Sequence, residues 1–416
     1  MLEKPLLESS KGPCKSQGSP LEVFLVALRL GVSSFGGPIA HLGYFHDEYV
    51  SRREWLDEKS YADAVAFAQS IPGATSSQVG IIVGTHRAGL LGGLAAWVGF
   101  TMPSAISLIL FGYTIQFFSG NVANAGWLHG LKIAAVVIVA QAVWRMSRTL
   151  APDQERGTIA VGSAIAAMTM EGIAIGQIGI IAAAGLVGWL FLRRGPVEAT
   201  RTSIARRIPH LFSILSLASF FTLLGLVPLL RQVYPNNDRL AIFGSFYQSG
   251  ASVFGGGHVV LPLLNAQVVT PGWVTSSQFL AGYGLTQAMP GPLFTFSAYL
   301  GTIMMKMPDG VVGGLFALFS IFLPSFLVVY GLLPFWDTLR TRQDFQSILR
   351  GINAAVVGIL FAALYSPVFT TSVTSNADFA LTIVLGTLVV IWKRPPWNVV
   401  VCAVVGGTII GFLGLL

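Results

Sequence analysis

Phe35-Gly36-Gly37-Pro38 interrupts an apolar stretch where a straight helix would otherwise run, and Phe254-Gly255-Gly256-Gly257 does the same far downstream. Roughly thirty residues after each copy comes a second breaker, Gln69-Ser70-Ile71-Pro72-Gly73 and then Gln287-Ala288-Met289-Pro290-Gly291. Glycine admits positive φ, while proline removes an amide donor and clashes with the preceding turn, so each site ends or bends a helix. In lipid such breaks persist only where protein or a water-filled cavity surrounds them. The rest of the chain is therefore read as a scaffold that gathers four breaks.

That scaffold is a membrane one. Charged residues make up 10% of the chain and hydrophobic residues 53%, whereas a soluble domain carries about 25% charged residues. Apolar runs near the roughly 20 residues that cross a bilayer as a helix recur from residue 21 onward. The predicted fold class is an all-α polytopic membrane protein of thirteen segments. These are residues 21–45, 61–85, 88–116, 128–147, 157–171, 173–192, 211–230, 241–268, 279–304, 310–336, 348–367, 377–392 and 397–416. Residues 1–20 are expected to be a disordered cytoplasmic tail with no cleaved signal peptide.

The order of the segments restarts. Trp55 matches Trp273, Pro72-Gly73 matches Pro290-Gly291, and Gly92-Gly93 matches Gly313-Gly314. Pro103 matches Pro324, and Ala134-Ala135-Val136-Val137 matches Ala354-Ala355-Val356-Val357, all at an offset of about 218 to 221 residues. Residues 21–192 thus form one repeat and 241–416 the other. Between them, residues 193–240 hold a basic loop (Arg193, Arg194, Arg201, Arg206 and Arg207) and one connecting span. An odd offset in segments places the second repeat upside down, and inverted repeats with matched broken helices point to a secondary transporter.

Charge sets the orientation. The net charge of +7 resides mainly in loops, as the positive-inside rule requires, so a membrane orientation explains it better than nucleic acid. With the 193–210 loop inside, the N-terminus is cytoplasmic and the C-terminus external. The loop carrying Arg52, Arg53 and Lys59 falls inside if residues 21–45 and 61–85 are re-entrant hairpins, and outside if 21–45 spans fully; the hairpin version is favoured.

The candidate site follows from the breaks. Consecutive glycines expose backbone amides, and a half-helix starting there aims its positive end at the cavity. Gly36, Gly37, Pro72, Gly73, Gly255, Gly256, Gly257, Pro290 and Gly291 are the backbone part of this anion site; Ser33, Ser34, Gln69 and Gln287 flank it with polar donors. Arg29 and Lys132 are cations at membrane depth, each costing about 3 kcal/mol or more unless used or paired. The bland readings are an ion pair of Arg29 with Glu22 and a snorkelling Lys132. His41 and His258 follow the two glycine breaks and are read as anion donors, proton carriers or packing histidines. Gly92-Gly93 and Gly313-Gly314 are assigned to helix packing. Few carboxylates lie at depth: Glu22, Glu171 and Asp63, the last read as a helix-start acid, so no buried acidic proton relay is expected.

Cys14 and Cys402 form no metal or redox spacing. GxxxxGK[ST], HExxH, GxSxG and CxxC are absent, so no ATP motor, enzyme activity, cofactor or metal is expected.

SFGGP followed by His41, then Gln69 to Gly73, with a second FGG and QAMPGP about 220 residues on, resembles the chromate ion transporter family over residues 21–416. The resemblance implies efflux of chromate from the cytoplasm across a bacterial inner membrane, conferring resistance, with isosteric sulfate as a competing anion. The alternative reading is an importer of sulfate or another oxyanion. The partners implied are these anions and the lipid bilayer; a homodimer is the base-rate expectation for a transporter. Because Arg29 flanks the first break alone, that break is expected to hold the anion more tightly than its twin.

Overall fold

Each breaker separates two helices. In the first half, α1 (Pro20–Ser33) and α2 (Gly37–His46) flank one break, and α3 (Glu58–Ser70) and α4 (Thr75–Phe118) flank the next. A 14-residue helix such as α1 rises only about 21 Å, short of the ~30 Å hydrocarbon layer. The chain turns back at each break. Arg53, past the end of α2, lies 3.8 Å from Glu22 at the start of α1, and Arg87 on α4 reaches the same carboxylate at 3.2 Å. Both guanidinium groups also stand over the Trp55 ring. Residues 21–45 and 61–85 are therefore two hairpins clasped at a common base, and Glu22 pairs with Arg87 and Arg53 rather than with Arg29.

The computed structural model describes residues 18–118, 126–170, 174–193, 208–254 and 256–414. Gly255, Glu171, Cys14, Arg194, Arg201, Arg206 and Arg207, with most of the 1–20 tail, lie outside the described residues. After α4 come α5 (Gly126–Leu150), α6 (Gln154–Thr169), α7 (Ala174–Phe191) and the connecting α8 (His210–Val233). The second half then runs α9 (Asp238–Ser252), α10 (Val260–Leu264), α11 (Ser276–Ala288), α12 (Phe296–Ile303), α13 (Gly310–Leu332) and α14 (Trp336–Leu339). It ends with α15 (Gln343–Ala363), α16 (Thr370–Ser372), α17 (Asn376–Val390) and α18 (Pro396–Phe412). Among the described residues, five helices are long and apolar enough to cross a membrane, and five shorter apolar ones accompany them. No strand occurs among the described residues.

The second half builds the same clasp from different residues. Asp238 at the start of α9 meets Lys306 at 2.6 Å, and Lys306 stands over Trp273 as Arg87 stands over Trp55. The two clasps sit at opposite ends of one helix. At Ala88 and Gly89, next to the first clasp, α4 kinks and starts its long limb. At the limb's far end Gln116 donates to the Thr302 carbonyl, and the Tyr113 hydroxyl accepts from the Val311 amide. Helix α13 runs back the other way, from Gly310 to Tyr330, whose hydroxyl lies 3.4 Å from both the Leu90 carbonyl and Thr85.

The remaining helices exchange partners between halves. α5 packs on α17 and α18, while α15 packs on α6 and α7. Lipid supplies no hydrophobic drive between helices, so small residues that let backbones approach set these contacts. A Cβ on Gly130 would strike the Ala403 carbonyl, and one on Gly351 the Ala184 carbonyl. Gly92 likewise abuts Gly84 and Gly313 abuts Gly301, the packing role read for both glycine pairs.

Candidate functional site: a one-sided cationic cavity at the breaks

Two backbone hydrogen bonds tie the four breaks together. The Gly73 amide donates to the Val253 carbonyl at 2.8 Å, and the Gly291 amide donates to the Ser34 carbonyl at 3.1 Å. Each bond joins the second break of one half to the first break of the other. Both donors have positive φ, +131° at Gly73 and +102° at Gly291. A Cβ at Gly73 would collide with Ser325 Oγ and one at Gly291 with Ser104 Oγ, serines that sit at matching positions in the two repeats.

On one side of this crossing lies a cavity of about 1160 Å³. Its deep end is made by Pro38, Thr75 and Gly256, so residues at three of the four breaks or beside them face one space. Thr75 is the first residue of α4, whose positive N-terminal end therefore points into the cavity. Ala62, Ala66 and Gln69 along α3 form one wall, and Asn353 and Arg350 on α15 form another. The Asn353 Oδ1 is buried without a hydrogen-bond partner. Trp144, Arg145, Met146 and Arg148 to Leu150 on α5, together with Trp336 and Arg340, complete the lining toward the end that carries the first clasp.

The charge of this lining is lopsided. Lys59, Arg145, Arg148, Arg340 and Arg350 face one carboxylate, Asp63. Asp63 is already neutralised, because Arg340 Nη1 lies 2.6 Å from its Oδ1 and the Trp336 indole donates to the same oxygen. Arg350 is held by the Leu192 carbonyl and Arg148 by stacking over Trp144. Lys59 and Arg145 have no carboxylate partner among the described residues. Low-dielectric walls focus such a field, so the cavity attracts anions.

The residues predicted from sequence do not all gather in one place. Gln69 and Gly256 line the large cavity, while Gly37, Gln287 and Gly291 surround a separate small void that Pro38 also borders. Ser34, Gly36, Pro72, Gly73, Gly257 and Pro290 shape the breaks; the Pro72 carbonyl accepts from Gln78 Nε2, and Gly36 caps α2 at φ +102°. His41 is wholly buried against Phe100 and Phe45, with no hydrogen-bond partner on either ring nitrogen, and His258 Nδ1 lies 3.0 Å from the Tyr283 hydroxyl. Arg29 and Ser33 lie exposed on α1, outside the cavity lining. Lys132 is half-buried on α5 and also lines no part of the cavity.

Two expectations about acids change. Asp57, not Asp63, caps α3, and Asp63 belongs to the cavity wall. Asp378, missing from the count of acids at depth, is completely buried and lies 2.6 Å from His129 Nε2. The wall cations were visible in the sequence only as inside-loop charge. Helical spacing of Arg145 and Arg148 toward the α5 end was the available signal.

The apolar helices, the crossing of their breaks and the cation-lined cavity fit a multi-pass membrane protein. The chain belongs to the chromate transporter family, whose description matches residues 21–189 and again 240–409. It is 26% identical to the chromate transport protein of Pseudomonas aeruginosa, over 82% of this chain and 79% of that one. The chromate transport protein of Cupriavidus metallidurans is 25% identical over 82% and 81%. A probable chromate transport protein of Synechococcus elongatus is 26% identical over 81% of each. No solved structure matches the chain.

Proposed function

We propose that this protein exports chromate from the cytoplasm across the inner membrane by alternating access, as a secondary transporter built from two inverted halves. The observation that carries the reading is the one-sided cavity, in which five cations and one neutralised carboxylate lead to the breaks of both halves. The two clasps at opposite ends of the long α4 limb support the inverted arrangement, and the exchanged packing of α5 and α15 supports two pseudo-equivalent halves. On the positive-inside orientation the open end faces the cytoplasm. An interior-negative potential expels anions by about 2.3 kcal/mol per charge per 100 mV, so a dianion gains about twice that.

Dianion binding follows from the geometry in order. The wall cations gather the anion, Gln69 and Asn353 present polar groups along its path, and Thr75 with the α4 end receives it at the crossing. Sulfate has the same shape and charge and is expected to compete.

Labelled-chromate uptake into everted vesicles, with the potential and the pH gradient collapsed separately, tests the reading. Uptake that falls with the potential and is inhibited by sulfate is expected. Chromate movement only in the import direction would contradict it.

A further inference from the structure

The cavity has a counterpart that is closed. In the packing of the halves Gly130 takes the place of Gly351, because each meets the matching alanine of its partner helix, Ala403 or Ala184. This packing register, one residue off the sequence match of Ala134–Val137 with Ala354–Val357, puts His129 in the place of Arg350 and Lys132 in that of Asn353, two residues that line the open cavity. Along α11 the matches of Ala62, Ala66 and Gln69 are Leu280, Gly284 and Gln287. The α3 residues are open to the cavity, whereas their α11 matches are buried. A Cβ on Gly284 would strike the Leu131 carbonyl, so α11 lies directly on α5 where α3 and α15 stand apart.

At the edge of this closed seam sits a carboxylate among basic residues and hydrogen-bond donors. Asp378 Oδ1 is 2.6 Å from His129 Nε2, and its Oδ2 accepts from the Thr374 and Ser375 amides and the Thr374 hydroxyl. Lys132, one turn along α5 from His129, is the other basic residue that bears on it. Asp378 has no exposed surface and His129 side-chain exposure is 11%. A wholly buried carboxylate that takes four hydrogen bonds and faces two basic groups occupies what is chemically an oxyanion site.

We propose that His129 and Lys132 form the exit-side oxyanion subsite of the transport path, shut in this conformation by Asp378, which holds the place the dianion takes when this face opens. The inference rests on the alternating-access reading. When α11 parts from α5, His129 and Lys132 come to line the second cavity as Arg350 and Asn353 line the first. Asp378 balances their charge while no anion is there, and the arriving dianion exchanges with it. The proposal also gives Lys132 a use that neither snorkelling nor the first cavity supplies.

The test uses the full chain with Cys14→Ser and Cys402→Ser, and Ala281→Cys on buried α11 as reporter. Asp378→Asn keeps an acceptor oxygen for the Thr374 and Ser375 amides, and Ser375 still caps α17 through its side chain. Labelling by a membrane-impermeant maleimide from the external side is expected to be slow with Asp378 and at least tenfold faster with Asp378→Asn. Asp378→Asn is expected to slow chromate export at least fivefold, and Lys132→Gln to raise the chromate KM more than it lowers kcat. Unchanged labelling in a folded Asp378→Asn protein with normal export would overturn the proposal and leave Asp378 a helix cap. Normal chromate export by the Asp378-containing protein, read in the same vesicles, separates that failure from a failure of the transporter reading.

Discussion

At the scale of single residues, equal motif positions do unequal work. Gly73 and Gly291 each combine positive φ, a backbone bond across the crossing, and a serine where a Cβ would go. Gly73→Ala should cost about 1–3 kcal/mol in backbone strain alone and reduce chromate transport at least tenfold, with a lower melting temperature in detergent. Gly257→Ala should be tolerated, since its φ is ordinary and the nearest atom to an added Cβ, on Leu293, is 3.4 Å away. The cations divide similarly. Arg145→Gln should raise the KM for chromate several-fold, as a field-making residue of the wall should, while Arg29→Gln should leave export within twofold. Measured KM values for the two variants check the division. Sequence favoured Arg29 because it lies beside a break, but the helix carries its side chain to the outer surface, a matter of rotation that depth alone does not reveal.

Among the elements, the four breaks and their pairing were legible because Gly and Pro act on the backbone locally, whatever packs around them. The hairpin bases were legible in part: Trp55 and Trp273 matched, yet the acid and base that clasp each tryptophan occupy shifted positions, Glu22 with Arg87 and Asp238 with Lys306. The Lys306 ammonium holds the Asp238 carboxyl below the ordinary range, and the hydrogen bond that the His46 imidazole donates to Glu58 raises it above its usual value. A raised folded-state value means the His46–Glu58 contact contributes fully below about pH 6.5 and is lost as pH rises through the folded value. The first hairpin base should therefore be protected better at pH 5.5 than at pH 8.5 in hydrogen exchange over residues 46–58. His46→Gln should abolish that difference. The cavity wall was not legible. It joins α3, α5, α14 and α15, whose lining residues lie up to about 300 positions apart in the chain, and its cations also satisfy the positive-inside rule.

For the whole molecule, the sequence reading expected the two repeats to work unequally, and the matched positions do have different surroundings. Gln69 is open to a cavity while its match Gln287 is buried, and α3 stands off α15 where α11 lies on α5. A duplicated motif cannot say which half is open, since both conformations satisfy the same pattern. Asp378 escaped for a related reason: beside a short polar turn it reads as a solvated cap, and only the exchanged packing of α5 with α17 buries it.

The central claim is that the cationic cavity is the cytoplasm-facing chromate path. The most direct measurement is cysteine accessibility at Gln69→Cys, in a background with Cys14→Ser and Cys402→Ser, from each side of sealed membranes. The expected result is labelling from the cytoplasmic side only, slowed by millimolar chromate and by sulfate, with Arg145→Gln weakening the protection. Labelling only from the external side, or labelling that neither anion slows, would contradict it.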